Sequence, residues 1–457
     1  MKTRRVLKPE VFLFVFLAAF WAVCGVAAAG GQTPVAKQAA SLSLTLPQAI
    51  SMALRESPLL ASSQDDVTAS RHRARAAKGA LYPRVDSYSS YRRLSDPAAV
   101  VPIKSFGGTP PTFSRDQYSA GLTLKVPIYQ GGRLRTGVDI AKVAKTMAKE
   151  RFRLTKQELI YNVTYVFNQI LFLDDLIKAQ EDTLDALKKL RADSKRRLDV
   201  GRLAPVDLLR IDTQVAEQEY ALVRSREQRV RAKEALAALL GTQDYQEIIA
   251  IGKLRKPETK AVVFARSKIE DLIRERPDLK SAERDVIKAE KTVRLEKGYH
   301  LPSINFVGDY GRRAGSGFEG NEEVWSAGIS LELNIFSGGV ISARVKEAEA
   351  KYLAAKNRYK HLQLNAFKEV VQALSAIKEA EKRLVAAESA LRSARESYRI
   401  EELRYKTGAG SVTDSLLSHS AWLQARANVF QAIYDMDKAV MDYRLATGTV
   451  ESETVVE

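Results

Sequence analysis

The chain contains the same unit twice, and this internal duplication restricts its fold more than any other feature of the sequence. The segments LRESP and IRERP end in prolines that lie 219 positions apart (277 − 58 = 219), and a second pair of prolines keeps this separation (302 − 83 = 219). Beyond a length change that follows Arg93, a separation of 207 (338 − 131 = 207) relates Gly131 to Gly338, Gly201 to Gly408, Asp207 to Asp414 and Gly241 to Gly448. Two constant separations indicate a tandem duplication, so both halves should form the same elements.

Each unit predicts one order of elements: a helix, two strands, a very long helix, a tight turn and a closing helix. Helices are predicted at 45–79, 133–199 and 206–240, and again at 267–298, 340–407 and 413–446. Strands are predicted at 85–92, 118–128, 304–312 and 325–335. The fold class is therefore mainly α with a small β part. The predicted organisation is a signal peptide at 1–29, a first repeat at 30–241, a linker at 242–266, a second repeat at 267–448 and a tail at 449–457.

The second predicted strand of each unit alternates between apolar and polar residues. The apolar positions are Tyr118, Ala120, Leu122, Leu124, Val126 and Ile128, then Trp325, Ala327, Ile329, Leu331, Leu333 and Ile335. Strands of about ten residues with this alternation are typical of transmembrane barrels, although a half-buried soluble sheet gives the same pattern. Tyr88, Tyr91 and Tyr310 are candidates for interfacial aromatics. Four strands cannot close a barrel, and an open edge in lipid leaves backbone groups unpaired, so identical copies must pool their strands as a dimer, trimer or tetramer.

The two long predicted helices carry a coiled-coil seam. The first keeps a 4–3 spacing through Leu159, Val163, Val166, Ile170, Leu173, Ile177, Leu184 and Leu187. The second repeats it through Ala366, Val370, Ala373, Ile377, Ala380, Leu384, Leu391 and Ala394. This spacing predicts a coiled coil. Because each residue adds about 1.5 Å, such a helix forms a rod of roughly 100 Å, which is far longer than a helix of a globular domain.

The first residues have the features of an export signal. Four basic residues precede the apolar run 11–26, and Ala27 to Ala29 supply the small residues of a cleavage site. The run is shorter than the ~20 residues of a membrane-spanning helix, which disfavours a permanent anchor. The single cysteine, Cys24, lies within this segment, and a lipidated Cys24 is the alternative to simple cleavage. A cleaved chain would contain neither a disulfide nor a thiolate metal site.

The net charge of +17 includes the basic residues of the leader. The remaining Lys and Arg alternate with Glu and Asp along the helices, as solvated helix faces do, and we predict no nucleic-acid partner. His72, His300, His361 and His419 are scattered without zinc spacing. The sequence has no Gly-rich phosphate loop and no Gly-x-Ser-x-Gly motif. We therefore predict that the chain is no enzyme and has no cofactor or metal.

The duplicated junctions and turns resemble those of the TolC-like outer-membrane efflux protein family. The junctions are PIYQGGR, with Gly131 and Gly132, and NIFSGG, with Gly338 and Gly339. The turns are VGRLAPVDLL, beginning at Val200, and RYKTGAGSVTDSLL, beginning at Arg404. The resemblance covers nearly the whole chain after the leader. It implies a homotrimer whose strands form a twelve-stranded barrel in the outer membrane, with a tapering α-helical barrel that extends into the periplasm.

The resemblance also implies a gate at the helical tips, closed at rest. Gly201 and Gly408 match the glycines at which the hairpins reverse, while Asp207 and Tyr405 match residues that help to hold the tube shut. Helix capping by Asp207 and Asp414 is an equally good interpretation. Asp414 matches an acidic ring, whereas Leu417 and Gly410 replace an acidic residue and an arginine of the family pattern. Residues at positions that match adaptor contacts are Arg197, Leu203 and Arg404.

We therefore predict a trimeric exit duct for tripartite efflux or type I secretion in the outer membrane of a Gram-negative cell. Its expected partners are a periplasmic adaptor, an inner-membrane pump and outer-membrane lipid. The alternative is a periplasmic coiled-coil adaptor or scaffold without a pore. Such a protein would share the leader and the long hairpins, but it would not need paired strands with a lipid-type alternation. The residues do not identify the substrate or the pump.

Overall fold

The computed structural model describes residues 42–101, 111–244, 246, 248–254, 256–257 and 266–450. The predicted signal peptide at 1–29, including Cys24, lies outside the described residues, as do 451–457 of the predicted tail and residues 245, 247, 255 and 258–265 of the predicted linker. We number the elements in chain order. The helices are α1 Leu46–Glu56, α2 Pro58–Gly79, α3 Arg133–Asp199, α4 Pro205–Leu240, α5 Arg266–Arg274, α6 Pro277–Lys297, α7 Val340–Lys406 and α8 Val412–Thr447.

The first helix of each repeat is broken, so the continuous helices predicted at 45–79 and 267–298 are wrong. Ser57, between α1 and α2, has an extended backbone (φ −65°, ψ 120°) and precedes Pro58. Arg276 has a similar conformation (φ −59°, ψ 132°) before Pro277. Proline has no N–H to donate, and its ring excludes the residue before it from the α region. Each proline therefore ends one helix and begins the next.

The long helices α3 and α7 have 67 residues each, in close agreement with the prediction. All eight predicted seam residues of α3 are buried. In α7 the seam is buried from Ala366 to Leu384, while Leu391 and Ala394 are half-buried. No helix in the described part of the chain is both long enough and apolar enough to cross a membrane.

The largest core cluster lies at the middle of α3. It joins Ile160, Val163 and Phe167 to Leu236 of α4 and Ile50 of α1. Two short parallel strands, β1 (Leu42–Leu44) and β4 (Ile248–Ala250), cover it. The start of the first repeat and the segment after α4 thus pack against the same stretch of the rod.

The other four strands form one antiparallel sheet in the order β2-β3-β5-β6. They are β2 (Arg84–Ala99), β3 (Phe113–Gln130), β5 (Ser303–Ala314) and β6 (Glu322–Glu332). β2 and β3 are longer than predicted, whereas β6 ends three residues before the predicted Ile335. β2 and β6 each have one unpaired edge within the chain.

The strand register assigns the two faces of the sheet. On the apolar face Leu122 lies opposite Tyr310, which lies opposite Trp325. On the other face the hydroxyls of Thr123 and Ser326 donate to the carboxylate of Asp309, over 2.6 and 3.4 Å. The alternation thus separates the faces as predicted.

Two residues depart from the predicted faces. A register shift between Pro127 and Tyr129 makes Ile128 a bulge residue, so Tyr129 takes its place on the apolar face. Tyr88 is on the polar face, because it lies opposite Gly121 with its hydroxyl beside Gly121 and Gly311. Tyr88 is therefore not an interfacial aromatic, and only Tyr91 and Tyr310 of the predicted set face outward.

Candidate functional site at the helical tips

The strand–helix junctions use two consecutive left-handed glycines in each repeat. Gly131 and Gly132 have φ of +59° and +75°, and Gly338 and Gly339 have φ of +61° and +80°. Only glycine adopts this region at little cost. Gly132 and Gly339 are the N-cap residues of α3 and α7. These four glycines therefore provide the left-handed backbone that connects strand and helix at each predicted junction.

The two helical hairpins reverse at equivalent glycines. Gly201 (φ +71°) lies between α3 and α4, and Gly408 (φ +79°) lies between α7 and α8. The N–H of Arg202 donates to the carbonyl of Arg197, and the N–H of Ala409 donates to that of Arg404. This is the hydrogen bond of a Schellman motif, in which a left-handed residue ends a helix. The repeats therefore share the same turn, down to its backbone hydrogen bond.

Tyr405 is the centre of the tip, which we define as the end of the two hairpins that carries both turns. It is buried with Leu187 of α3, Ile211 of α4, and Val412 and Leu416 of α8. A single small core therefore includes residues of both hairpins. Packing around Tyr405 holds the tip of the first hairpin against the tip of the second within one chain.

Polar contacts reinforce this packing on the α3 side. The Tyr405 hydroxyl lies 3.2 Å from the hydroxyl of Ser194, which is fully buried. The guanidinium of Arg197 lies 5.0 Å from the centre of the Tyr405 ring, within the range of a cation–π contact. Ser194 was not among the predicted site residues, because a serine within a long charged helix carries no signal of its partner.

A second link between the hairpins runs through Arg210. Its guanidinium donates to the hydroxyl of Thr413 over 2.7 Å and to the carboxylate of Asp207 over 3.3 Å. Asp207 is thus connected to the second hairpin by way of Arg210. Within the described residues of the chain, Asp207 and Tyr405 are not hydrogen-bonded to each other, and each takes part in a different link between hairpins.

Neither aspartate is the cap residue of its helix. The N-caps are Ala204 for α4 and Ser411 for α8. Asp207 and Asp414 are the third helical residues, where a negative charge is favourable beside the helix N-terminus. The Ser411 hydroxyl donates to the Asp414 carboxylate over 2.7 Å and accepts from the Asp414 N–H over 3.0 Å. Asp414 therefore takes part in capping its helix only through its hydrogen bonds with Ser411.

The structure gives a reason for glycine at position 410. A Cβ at Gly410 would lie 2.9 Å from the Cβ of Arg404 and 3.1 Å from its carbonyl carbon. A longer residue would have to displace the last turn of α7. Leu417 is exposed at 64 % of its surface, one helical turn after Asp414. Position 410 therefore supplies no guanidinium, and the guanidinium that links the hairpins belongs to Arg210 of α4.

The predicted adaptor-contact residues lie at the tip but differ in exposure. Arg404 is exposed and pairs with Glu401 of its own helix over 2.9 Å. Arg197 and Leu203 are half-buried, and both contact the tip core. Arg404 is therefore the most accessible of the three for a partner, while the other two contribute to the tip itself.

An aromatic cluster that the sequence did not reveal lies further along the second hairpin. His419 is buried beside Tyr398 and Trp422, with ring centres 4.8 and 5.9 Å away. Tyr398 and Trp422 stack on each other at 5.2 Å. Burial lowers the pKa of the His419 imidazole, and the Glu402 carboxylate acts in the opposite direction. The cluster therefore favours neutral His419.

This burial predicts a loss of stability on acidification. Because the folded-state pKa of His419 lies below the unfolded value of about 6.5, the unfolded chain binds more protons as the pH falls below that value. One proton changes the free energy of unfolding by at most about 1.4 kcal/mol per pH unit. The melting temperature of the wild type should therefore fall more between pH 7.5 and pH 5.5 than that of His419→Phe, which keeps the stacking. Equal falls in both proteins would contradict this assignment.

The described residues contain no group of three His, Cys, Asp or Glu side chains that could hold a metal ion. The tip combines a small apolar core, two polar links between hairpins and an exposed carboxylate at Asp414. Such a site can hold the two hairpins together.

Comparison with known proteins gives these features a family. The family model described as outer membrane efflux protein matches residues 49–242 and 269–449. Outer membrane protein TolC of Vibrio cholerae serotype O1 is 24 % identical over 350 residues, covering 75 % of this chain and 79 % of its own length. The probable efflux pump outer membrane protein TtgC of Pseudomonas putida is 26 % identical over 398 residues, covering 84 % of this chain and 77 % of its own.

A solved structure agrees with the fold. The outer-membrane channel OprN superimposes with a TM-score of 0.77 at 23 % identity, covering 88 % of this chain and 90 % of that chain. The family consists of outer-membrane efflux channels and not of enzymes. The chain is accordingly located in the outer membrane and extends into the periplasm. On the family match, which covers both repeats, this protein belongs to the outer membrane efflux protein family.

Proposed function

We propose that the chain is one protomer of a homotrimeric exit duct. The duct passes substrates out of the cell by tripartite efflux or type I secretion, with a periplasmic adaptor and an inner-membrane pump as partners. The observation that carries the proposal is a sheet with an exposed apolar face and two unpaired edges. In lipid every backbone group needs a hydrogen-bond partner, so the two open edges must pair with strands of other copies and close a barrel. A scaffold without a pore would not need such a sheet.

The order of the sheet supports closure by identical copies. Its four strands alternate in direction, so β2 and β6 run in opposite directions. β6 of one copy can therefore pair antiparallel with β2 of the next, and the alternation continues around a ring. Residues just beyond β6 are unusually exposed in the single chain, with Ile335 at 92 % and Phe336 at 87 %. A neighbouring strand would cover them.

The duplication supplies the register of this closure. Ser87 pairs with Leu122 in the first repeat, and the equivalent residues Phe306 and Ile329 pair in the second. Thr123 of β3 lies opposite Asp309 of β5. Replacing each of these two residues by its equivalent in the other repeat gives the pair expected between copies. Ser330 (123 + 207) should lie opposite Ser90 (309 − 219) of the next copy.

Cysteine cross-linking tests the assembly. In a Cys24→Ser background, Ser330→Cys with Ser90→Cys should give disulfide-linked trimers, because opposite residues have Cβ atoms about 5 Å apart. The control pair, Ser330→Cys with Arg92→Cys, is displaced by two residues and should cross-link far less. Mass measurement of the detergent-solubilised protein should give three protomers. A monomer that still conducts ions would rule out the proposal, whereas a trimer without the cross-link would rule out only the register.

The proposal includes a resting gate at the tips. It is supported by the core around Tyr405 and by the Asp207–Arg210–Thr413 link, since both hold the hairpins together. Three copies of Asp414 would place a ring of carboxylates at the entrance, and such rings favour cations and bind divalent ions. Adaptor contact is proposed for Arg197, Leu203 and Arg404.

Planar-bilayer recording tests the gate. Asp207→Ala combined with Tyr405→Phe should raise the resting conductance, while Asp414→Ala should weaken cation preference and block by divalent ions. Asp193→Ala is the matched control, because Asp193 pairs with Arg196 of its own helix and links no hairpins. Wild-type conductance and ion preference in both gate variants would place the gate elsewhere.

A further inference from the structure

One arginine stands on the apolar face of the sheet, where the membrane lies. Arg312 belongs to β5, two residues beyond Tyr310, and its side chain is on the same face as Tyr310 and Trp325. These aromatics are exposed at 54 % and 71 %. Among the described residues, Arg312 forms no hydrogen bond or salt bridge. An exposed guanidinium without a salt bridge on this face is accessible to an anionic partner from outside the chain.

The position of Arg312 along the strand fits the outer edge of the apolar band. The apolar rows run from Ile304 opposite Leu331 to Tyr310 opposite Trp325. Arg312 is eight residues beyond Ile304 (312 − 304 = 8), which is ~26 Å along a strand at ~3.3 Å per residue. With a tilt of about 40° this becomes ~20 Å across the membrane, close to the ~25 Å of an outer-membrane apolar band and its aromatic girdle.

β2 and β5 end, and β3 and β6 begin, at the end of the sheet opposite the long helices, so this edge faces the outside of the cell. We propose that Arg312 binds the phosphate of a phosphorylated lipid headgroup in the outer leaflet of the outer membrane. The planar guanidinium donates two parallel hydrogen bonds to a phosphate, and Trp325 and Tyr310 pack beside the acyl chains below it. Basic side chains at a membrane surface attract anionic headgroups in the same way.

The neighbours of Arg312 leave room for such a headgroup. Its row in the sheet contains Ala120 and Ser89 on one side and Glu323 on the other. The two small residues leave the surface beside the guanidinium open. Arg93, the other arginine of this face near the outer edge, forms an ion pair with the opposite Asp116 at 3.7 Å, whereas Arg312 forms no salt bridge with the opposite Glu323. Arg312 is therefore the stronger candidate for a phosphate ligand.

Native mass spectrometry of the detergent-solubilised full chain tests the site, with lipid A carrying two phosphates compared with lipid A stripped of them. The wild type should retain the phosphorylated form preferentially, and Arg312→Gln should reduce that preference about fivefold. Arg312→Lys keeps the charge and should restore part of it. Arg313→Gln is the matched control, because Arg313 is the next residue and points to the polar face opposite Ser119.

The outcomes distinguish a lipid site from a free-anion site and from misfolding. Unchanged retention in Arg312→Gln, or an equal loss in Arg313→Gln, would overturn the proposal. Competition by millimolar inorganic phosphate alone would show that the arginine takes a free anion, which would also overturn the lipid assignment. An unchanged oligomer mass in Arg312→Gln excludes misfolding as the cause of a loss. The test does not depend on the channel being open or closed.

Discussion

Replacing Gly131 with alanine is expected to lower the free energy of unfolding by about 2–5 kcal/mol. Two effects add: a left-handed backbone costs a residue with a Cβ about 1–2 kcal/mol, and overpacking typically costs 1–3 kcal/mol more. The overpacking is severe here, because a Cβ at Gly131 would lie 2.3 Å from the carbonyl oxygen of Gly298. Neither backbone can yield easily, since Gly131 joins β3 to α3 and Gly298 joins α6 to β5.

The adjacent glycine is a matched control for strain without a clash. Gly132 has φ of +75°, but a Cβ there would meet nothing within 4 Å. Gly132→Ala should therefore cost only the 1–2 kcal/mol of the backbone. Urea unfolding of both variants in detergent measures the difference. Equal losses in the two variants would show that the contact between Gly131 and Gly298 is unimportant.

The equivalent glycine of the second repeat extends this test to the assembly. Gly338 has φ of +61° and meets nothing within 4 Å in the single chain, and the same openness holds at Gly79, the equivalent of Gly298. If copies close into a ring as proposed, Gly338 of one copy should meet Gly79 of the next. Gly338→Ala should then impair trimer formation more than Gly339→Ala does. Equal trimer yields would contradict this contact.

Replacing Arg276 with methionine is expected to destabilise the chain by about 2–4 kcal/mol. Arg276 is only 11 % exposed and lies at the break between α5 and α6. Its guanidinium donates two hydrogen bonds to Asp278, over 3.0 and 2.8 Å, one to Glu369 of α7 over 2.7 Å, and one to the carbonyl of Ala446 over 3.0 Å. Breaking a buried ion pair typically costs 3–5 kcal/mol, and the half-exposed Glu369 reduces this value.

Variants of the partners show where the stability originates. Glu369→Gln should cost less than 1 kcal/mol, since Glu369 is 47 % exposed and water can replace the pair. Arg276→Met with Asp278→Asn should recover part of the loss, because the double variant no longer buries an unpaired carboxylate. Chemical unfolding of the wild type, both single variants at 276 and 278, and the double variant completes a double-mutant cycle. A double variant as unstable as the sum of the single variants would contradict the pairing.

The sequence by itself determined the features that repeat at a fixed period. The 207-residue separation predicted that Gly201 and Gly408 make the same turn, and both have left-handed φ. The 4–3 spacing predicted the buried seam of α3, and the alternation from Tyr118 predicted the faces of β3 as far as the bulge at Ile128. These properties are local, because helix and strand periods are set by neighbouring residues. The breaks at Pro58 and Pro277 were also available from this local rule, although the two prolines served only to mark the repeat.

The tertiary structure decided which distant residues meet. Nothing in the sequence indicates that Ser194 would face Tyr405, that Arg210 would reach Thr413, or that Arg276 would join the end of α8. The sequence likewise does not indicate that Gly131 lies against Gly298. Nor does it indicate that a Cβ at the equivalent Gly338 would meet nothing within 4 Å in one chain. Periodicity fixes which face of an element is apolar, but not which of several equivalent faces it packs against. That choice depends on the angle and register between elements far apart in the chain, and only the packed hairpins and sheet set those.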